Sequence, residues 1–574
     1  MKLSKLMGVI LLASISIGTL AACGGERVKT ESPILEQKLI EGLPVSAQDN
    51  PVFDRSISFD VSQNALPSVQ TGYSGEEFEI KRDANHGGGQ FILKLFTEGL
   101  SRAAYGEEFA YFRDYVYQNG LSVETCAHLA KLVFTSPLFE SFALSNNERS
   151  FALYRALLSR DPVGEELGSV TEKNISKKID AITASEEFAS LMEGMTFGPY
   201  FWGRNNTDAY TGTKLITAEQ FRTLLAQNTE TKTVVLEQGT LVLVDSCIAI
   251  PDGYTVKTEG DPDHYTKFAR FLRVGEAEGH ILLVTGDVSL QNIFVDGNRS
   301  GTKVGLGWNI AIIGNNTTVW GCRTSDSASN VHLISEPYTS DVYYGRNLIT
   351  CYATNHDEAW ADGLDMYASN GIMEYNHVVD ATDGGIVLFR NTEATQNSII
   401  RYNLVCNVGN SAYAGIDFES VDTDGGLADF RGAIAYGNEF YTGYTAHMHL
   451  AVTLSSYPWS SLFNAIEGHS FVNNYTPEGT FVNTGGGIVV NNVMSARVGG
   501  NQFRFFIGDW TACESGPRLY SVSPLTCFFT DCQSGYSRES AEGFIAVGRE
   551  IERQESYTVR EGFVYEDFVA VTEE

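Results

Sequence analysis

The chain has 574 residues, of which 43% are hydrophobic and 11% aromatic, enough for more than one packed core. Its 71 acidic and 40 basic residues give a net charge of −31. A protein this acidic repels phosphate backbones and anionic lipid head groups, which argues against nucleic-acid binding. The 56 glycines against only 14 prolines indicate many tight turns within ordered structure.

The N-terminal segment has the features of a targeting signal. Lys2 and Lys5 precede an apolar stretch over residues 7–22 that is too short to cross a membrane. This stretch runs into Leu20-Ala21-Ala22-Cys23-Gly24, which resembles the bacterial lipoprotein signal. The resemblance implies removal of residues 1–22 and a lipid on Cys23. The mature protein would then be extracytoplasmic and lipid-anchored to a bacterial membrane, at the cell surface or in the periplasm. An ordinary signal peptide with an incidental cysteine is the alternative.

Two further regions precede the main part of the chain. Residues 23–84 are polar without sustained periodicity and are interpreted as a tether. Residues 85–197 show the spacing of amphipathic helices. One motif in this region, Leu100-Ser101-Arg102 followed by Gly106-Glu107-Glu108, occurs again 58 residues later. The second copy is Leu158-Ser159-Arg160 followed by Gly164-Glu165-Glu166. This indicates a duplicated unit. The region resembles a helical domain of unknown function, related to phycobilisome linker domains, in secreted bacterial proteins. The resemblance implies an interaction domain with a protein or envelope partner.

Residues 210–510 follow a different pattern, in which short apolar stretches alternate with Asn, Gly, Asp and Thr. The recurring markers end 29, 25, 27 and 35 residues apart: Trp320-Gly321-Cys322, Ile349-Thr350-Cys351, Glu374-Tyr375-Asn376, Arg401-Tyr402-Asn403 and Tyr436-Gly437-Asn438. This period predicts a mainly β protein, a right-handed parallel β-helix with stacked asparagines, preceded by a small N-terminal α-helical domain. Residues 511–574 lose the spacing and are predicted to cap the last turn.

A second apolar strand recurs in each turn of the predicted coil. Its members are Val331-His332-Leu333, Leu364-Asp365-Met366, Ile386-Val387-Leu388, Ile416-Asp417-Phe418 and Met448-His449-Leu450. With Ala361-Asp362-Gly363 and Asp383-Gly384-Gly385, these strands resemble the pectate-lyase superfamily. The resemblance implies a pectin-lyase-like fold and an extracellular polysaccharide as partner. It leaves open a hydrolase, a lyase, an epimerase or a non-catalytic adhesin, because this fold hosts all of them.

Strand alternation places the candidate site on the outer face of this second strand. If the flanking apolar residues point inward, one outward column holds His332, Asp365, Val387, Asp417 and His449, and another holds Tyr367, Phe389 and Glu419 beside His447. Paired carboxylates can cleave a glycosidic bond. We predict Asp365 and Asp417 as the catalytic pair, with Glu419 and His449 as further catalytic residues. The predicted substrate contacts are His332, Tyr367, Phe389 and His447.

Asp362 and Asp383 are further candidates for substrate binding. Their separation is similar to that of the Asn-Thr-Asp and Asp-Asp motifs of polygalacturonases, but Ala361 and Gly384 replace motif residues. A hydrogen-bonded turn at each aspartate is the alternative. No lysine follows Lys303, which argues against a lysine-based lyase.

The remaining chemistry concerns calcium and cysteines. Asp422 and Asp424 form a candidate calcium site, with solvated acidic turns as the alternative; the sequence requires no other cofactor. Cys322 and Cys351 are predicted to share the column of the stacked asparagines. Neighbouring turns lie about 4.8 Å apart, so these two cysteines are predicted to touch, as thiols or as a disulfide.

Overall fold

The structure, a computed structural model, describes residues 88–193, 214–352, 360–390, 396–419, 430, 432–443, 446, 448–455, 465–472, 474–477, 479–484, 488–491, 493–499, 502–503, 505–507, 527–530, 533–534 and 545–547. The predicted signal (1–22), the lipidation site Cys23 and the predicted tether (23–84) lie outside these residues. No helix among the described residues is both long enough and apolar enough to cross a membrane.

The chain winds into a right-handed parallel β-helix, as predicted. Each rung, one turn of the coil, contributes a strand to three sheets in the order sheet 3, sheet 1, sheet 2, and every strand pairs in parallel with its equivalents in the next rungs. Sheet 1 contains β1 (Leu215–Thr217), β3 (Leu241–Val244), β6 (Ala269–Arg273), β9 (Ile293–Asp296), β12 (Arg323–Ser325), β15 (Leu348–Thr350), β18 (His377–Val379), β21 (Leu404–Asn407) and β24 (Glu439–Thr442).

Sheet 2, which carries the candidate site, is the longest of the three. It contains β4 (Ile248–Ile250), β7 (Leu282–Val284), β10 (Ile310–Ile312), β13 (Val331–Ser335), β16 (Asp362–Met366), β19 (Gly384–Phe389), β22 (Ala412–Glu419), β25 (Met448–Ser455), β27 (Val482–Thr484), β28 (Ile488–Asn491), β31 (Phe505–Ile507) and β34 (Ile545–Val547).

Sheet 3 completes each rung. It contains β2 (Thr233–Leu236), β5 (Thr255–Thr258), β8 (Ser289–Gln291), β11 (Thr318–Trp320), β14 (Tyr343–Gly345), β17 (Ile372–Glu374), β20 (Ile399–Arg401), β23 (Ile434–Tyr436), β26 (Ala465–Val472), β29 (Val493–Gly499) and β32 (Cys527–Thr530). A separate pair joins β30 (Gln502–Phe503) to β33 (Gln533–Ser534).

Stacked apolar and asparagine side chains hold the rungs in register. In sheet 2, Leu364, Ile386 and Ile416 stack on one another in the coil's apolar core and are fully buried. At the turn between sheets 3 and 1, each asparagine donates its side-chain N–H to Oδ1 of the next one at 2.8–2.9 Å. The ladder runs through Asn347, Asn376, Asn403, Asn438 and Asn474. Because these buried amides are satisfied along the stack, the ladder fixes the register of every rung it crosses.

The ladder corrects the predicted contact between two cysteines. Asn347, and not Cys351, follows Cys322 in the column, because the backbone N–H of Cys322 donates to Asn347 Oδ1 at 2.9 Å. Cys351 lies four residues beyond Asn347, after β15, in the next turn of the same rung. Cys322 and Cys351 are not joined by a disulfide. The prediction was wrong because Gly345-Arg346-Asn347 forms the turn that was assigned to Ile349-Thr350-Cys351.

The two ends of the coil differ from the prediction. The first rung is covered by α8 (Ala218–Gln227), whose Phe221 and Leu225 reach the coil's apolar core; the sequence reading did not place a helix there. At the other end, residues 511–574 were expected to form a cap without rung spacing. Instead, β32 pairs in parallel with β29, and β34 pairs with β28. Strands from this segment therefore continue the coil.

The N-terminal helices pack along sheet 1. They are α1 (residues 88–99), α2 (Gly106–Asn119), α3 (Val123–Phe134), α4 (Pro137–Ser141), α5 (Asn146–Leu158), α6 (Ile175–Thr183) and α7 (Glu186–Glu193). Their apolar core is continuous with outward-facing residues of sheet 1, including Leu348, Val379, Leu404 and Tyr441. The helical region is thus joined to the coil through a shared core.

The two copies of the repeated motif have the same local geometry. Arg102 donates to both carboxylate oxygens of Glu108 at 2.6 and 2.7 Å, and Arg160 donates to both of Glu166 at 2.7 and 2.9 Å. The serine before each arginine is left-handed, with φ of 55° and 53°. The spacing of the motif therefore serves a bidentate ion pair across a helix end.

Candidate active site on sheet 2

The outer face of sheet 2 carries two adjacent columns of functional side chains. In the first, Asp365 pairs with Val387 and Val387 with Asp417, so the two aspartates lie two rungs apart, or about 10 Å between α-carbons. In the second column, Phe389 pairs with Glu419. These positions agree with the predicted register.

The register is different at both ends of the predicted column. Ile334 and not His332 pairs with Asp365, and Thr453 and not His449 pairs with Asp417. His332 is fully buried, accepts a hydrogen bond from the Ser327 N–H at 3.1 Å and contacts the Asp362 carbonyl oxygen at 2.8 Å.

These contacts give His332 a structural role. Burial lowers its pKa to about 4, so the ring is neutral near pH 7. The predictions that placed His332 and His449 in this column were wrong. Alignment of the strands by their apolar triplets misplaces the first strand by two residues and the last by four. His447 lies outside the described residues.

Asp362 and Asp383 join the carboxylates of these columns at the start of their strands. Asp362 Oδ1 accepts the backbone N–H of Gly384 at 2.5 Å. The backbone N–H of Asp383 donates to the Ala361 carbonyl at 3.2 Å, and its own carbonyl accepts the N–H of Tyr413 at 3.0 Å. Asp362 is thus held through its carboxylate at the start of β16 and Asp383 through its backbone between neighbouring rungs, and both contribute to the site.

The result is a cluster of five carboxyl groups on three successive rungs, hereafter the carboxylate cluster: Asp362, Asp365, Asp383, Asp417 and Glu419. Asp365 is 1% exposed and Asp417 is 3% exposed. The Oδ1 atom of each is buried without a hydrogen-bond partner. A buried carboxylate oxygen without a donor is costly in a folded protein and is typical of functional sites.

The carboxyl groups raise one another's pKa. Burial raises the pKa of Asp383 to about 7, and burial together with Asp383 raises the pKa of Glu419 to about 8. The pKa of Asp417 is raised well above its usual value by burial and then by Glu419, Asp383 and Asp365. For Asp365, burial, Glu419 and Asp383 raise the pKa, while a hydrogen bond with Asp362 acts in the opposite direction. The cluster thus holds protons at neutral pH.

Aromatic rings lie in the second column beside the carboxylate cluster. Tyr367 and Phe389 stack with their ring centroids 4.4 Å apart and their planes 7° from parallel. Burial and then Asp365, Glu419 and Glu336 raise the pKa of Tyr367, so its phenol remains a hydrogen-bond donor. The sequence reading missed Glu336. Glu336 lies two residues beyond Ile334, so the register of β13 places it in the second column beside Tyr367. Apolar alternation alone does not fix that register.

The candidate calcium residues are not among those described, and one cavity lies away from this site. Asp422 and Asp424 lie outside the described residues, and within the described ranges no group of three or more His, Cys, Asp or Glu side chains is arranged to hold a metal ion. A cavity of about 250 Å³ lies elsewhere, between α5 and the first rungs. Arg155 and Arg270, which line it, are both bonded to Asp161.

Comparison with known proteins adds only distant similarities. No protein-family model and no curated protein matches the chain. An endo-xylogalacturonan hydrolase from Aspergillus tubingensis aligns at 11% identity and a TM-score of 0.36, over 60% of this chain and 95% of that one. A GH87 α-1,3-glucanase catalytic domain aligns at 14% identity and a TM-score of 0.40, over 61% and 68%.

A tailspike protein of Acinetobacter baumannii bacteriophage Fri1, a capsular polysaccharide depolymerase, aligns at 12% identity and a TM-score of 0.30, over 61% and 65%. At these scores the fold assignment depends on the three parallel sheets of this chain and on their register.

Proposed function

We propose that this protein is a glycoside hydrolase that cleaves a polysaccharide lying across the outer face of sheet 2. The observation that carries the proposal is the pairing of Asp365 and Asp417 on either side of Val387, both buried and both with an unpartnered oxygen. In this column Val387 separates the two aspartates, so one apolar side chain lies between them.

The spacing supports an inverting mechanism. Inverting glycosidases hold their two carboxyl groups roughly 6.5–9.5 Å apart, whereas retaining enzymes need about 5–5.5 Å. A two-rung separation of about 10 Å between α-carbons is compatible with the wider pair. One carboxyl group gives its proton to the glycosidic oxygen as the C–O bond breaks. The other, ionised, takes a proton from the water that attacks the anomeric carbon from the opposite face.

Because the carboxylate cluster shares protons, it can provide both a general acid and a general base. A general acid must be protonated near the working pH, and a general base must be ionised there. Asp383 and Glu419, with pKa values of about 7 and 8, keep part of the cluster protonated and part ionised near neutrality. A lyase is less well supported, because its base would need a low enough pKa to remove a proton and the Tyr367 phenol is shifted the other way.

Incubation of the unlipidated mature chain with neutral glycans and polyuronates tests this proposal. We expect new reducing ends without new ultraviolet absorbance, and a loss of about 10²- to 10⁴-fold in rate for Asp365→Asn and for Asp417→Asn. The matched control is Asp287→Asn, whose exposed carboxylate contacts Asn316 and which should retain full activity. New ultraviolet absorbance would indicate elimination, and binding without products would favour the adhesin.

We also propose that Cys23 carries a lipid that anchors the enzyme outside the cytoplasm. The support is the sequence Leu20-Ala21-Ala22-Cys23-Gly24. In a bacterial expression host, the wild-type chain should partition into a detergent phase, and the Cys23→Ser variant should remain in the aqueous phase. Equal partitioning of the two would contradict the anchor.

A further inference from the structure

The first column of the site, which holds Asp365, Val387 and Asp417, continues toward the start of the coil as an apolar strip. On the outer face of sheet 2, Leu283 pairs with Ala311, Ala311 with Ile334, and Ile334 with Asp365. The column therefore changes from apolar to acidic at the rung where the carboxylate cluster begins. Ala311 is fully buried and Ile334 is 5% exposed, although both face outward from the coil.

Trp308 is the aromatic side chain that packs on this strip. It lies in one apolar cluster with Ala311, Ile334 and Tyr367. Trp308 lies two residues before the start of β10, and β16, which carries Asp365, is two rungs further on. The backbone of Trp308 is thus about 10 Å along the coil axis from that of Asp365, and its indole packs on the outer face of sheet 2.

The indole is held in place on more than one side. Its ring stacks on the imidazole of His280 with centroids 4.8 Å apart and planes 26° from parallel. Its Nε1–H donates to Asn330 Oδ1 at 2.8 Å. The carbonyl of Asn330 accepts the backbone N–H of Asp362 at 2.8 Å. Asn330 therefore bonds both to the indole and to the backbone of a member of the carboxylate cluster.

We infer that Trp308 and the apolar strip form a saccharide-binding subsite on the N-terminal side of the carboxylate cluster; this inference rests on the proposed glycoside hydrolase function. The indole remains partly exposed, and the C–H groups of a pyranose ring can pack on it. Because the ring is already fixed by His280 and Asn330, little conformational freedom is lost when a sugar binds.

The subsite determines how the polysaccharide is placed and not how the bond is broken. Trp308 lies two rungs from Asp365, so it contacts a sugar away from the cleaved bond, equally in the ground state and in the transition state. Loss of such a contact raises KM and leaves kcat unchanged. Loss of a catalytic carboxylate lowers kcat and leaves KM unchanged.

The test measures binding separately from cleavage. The Asp365→Asn/Asp417→Asn double variant is titrated by calorimetry with hexasaccharides of glucose, mannose, galactose, xylose and galacturonic acid. Adding Trp308→Ala should weaken the tightest of these complexes about 10-fold, and Trp308→Phe should weaken it less. The matched control is Tyr402→Ala, which removes a 44% exposed aromatic ring next to sheet 3 and should not change the affinity.

Each outcome distinguishes the subsite from the hydrolase. If the double variant binds none of the hexasaccharides, or if Trp308→Ala and Trp308→Phe bind as tightly as their parent, the subsite is wrong. An equal loss with Tyr402→Ala would also overturn it. If Trp308→Ala alone weakens binding but the wild-type chain cleaves no polymer, the subsite stands and the hydrolase fails. Should Trp308→Ala not fold, Trp308→Phe decides.

Discussion

Acidic side chains are buried against the outer faces of both sheet 1 and sheet 2. Those against sheet 1 are paired with arginines, and those on sheet 2 lie beside one another. Under the helical region, Glu98 of α1 accepts hydrogen bonds from Arg323 on sheet 1 at 2.5 and 3.1 Å and from Arg155 of α5 at 3.2 Å. Burial alone would raise the pKa of Glu98, but the two guanidinium groups outweigh it and lower the pKa to about 2. On sheet 2, Glu419 has no such partner among its electrostatic neighbours, and its pKa rises to about 8.

The difference separates architecture from chemistry. The carboxylate of Asp161, in the helical region, accepts hydrogen bonds from Arg155 at 2.6 Å and from Arg270 at 3.1 Å. Arg270 also forms an ion pair with Asp296. These buried charges are paired and hydrogen-bonded across the interface, as charges that hold two regions in register usually are. Among the described residues, no cation perturbs the pKa of Asp365, Asp417 or Glu419. Buried charges left unpaired are candidates for function.

Removing a cation from sheet 1 should have the largest effect on stability. Arg323→Ala leaves Glu98 buried and without its bidentate partner, and it removes a guanidinium that lies 4.1 Å from the ring centroid of Tyr265. We expect the free energy of unfolding to fall by about 3–5 kcal/mol, measured by denaturant titration. Lys214→Ala, which breaks an exposed ion pair with Glu237, should cost less than about 1 kcal/mol. Equal losses would mean that the interface charges are not structural.

Neutralising a carboxylate should change the free energy of unfolding in opposite directions at the two sheets. At pH 8 the Asp417 carboxyl is ionised in the unfolded chain, whereas the fold disfavours its charged form. Asp417→Asn removes this penalty and should raise the free energy of unfolding by about 1 kcal/mol while activity is lost. Glu98→Gln, the same chemical change in the paired site, should lower it. Denaturant titration of both variants at one pH measures the contrast. A loss of stability in both would contradict the distinction between paired and unpaired sites.

The pH dependence of stability should also separate the two sheets. The ordinary pKa of Glu419 is 4.5 and its pKa in the fold is about 8, so between these values the folded chain binds more protons than the unfolded chain. Stability therefore falls as the pH rises through this window. Glu98, with a pKa lowered from 4.5 to about 2, is the reverse case, and its contribution is lost as the pH falls from 4.5 to 2.

A single variant isolates the sheet 2 part of this dependence. Glu419→Gln should match the wild type in stability at pH 4 and exceed it by a margin that grows as the pH rises to 8. Urea titrations at pH 4, 6 and 8 measure the difference. A difference that does not change with pH would mean that Glu419 titrates at its ordinary value.

Rungs of regular length could be predicted from the sequence, and irregular ones could not. The markers at Asn376, Asn403 and Asn438 fixed the asparagine ladder, and the apolar triplets around Asp365, Val387 and Asp417 placed these residues in one column. At the strands that contain His332 and His449, apolar alternation fits more than one register. A shift of two residues keeps the pattern and changes every neighbour.

The polar interface lay beyond sequence reasoning for another reason. Glu98 and Arg323 are 225 residues apart in the chain, and Asp161 and Arg270 are 109 apart. No local pattern marks such pairs, because their partners meet only after the helical region packs on sheet 1. The repeated Arg–Glu motif of the helices is local and was visible as a 58-residue repeat; its bidentate pairing is a result of the structure.

The central claim, that Asp365 and Asp417 cleave a glycosidic bond as a pair two rungs apart, is tested most directly by the stereochemistry of the product. Proton NMR of the first polymer that yields reducing ends, recorded before mutarotation, reports the anomeric configuration released. The separation predicts inversion of the configuration relative to the substrate bond. Retention would require a nucleophile about 5 Å from the acid and would contradict the assignment of this pair.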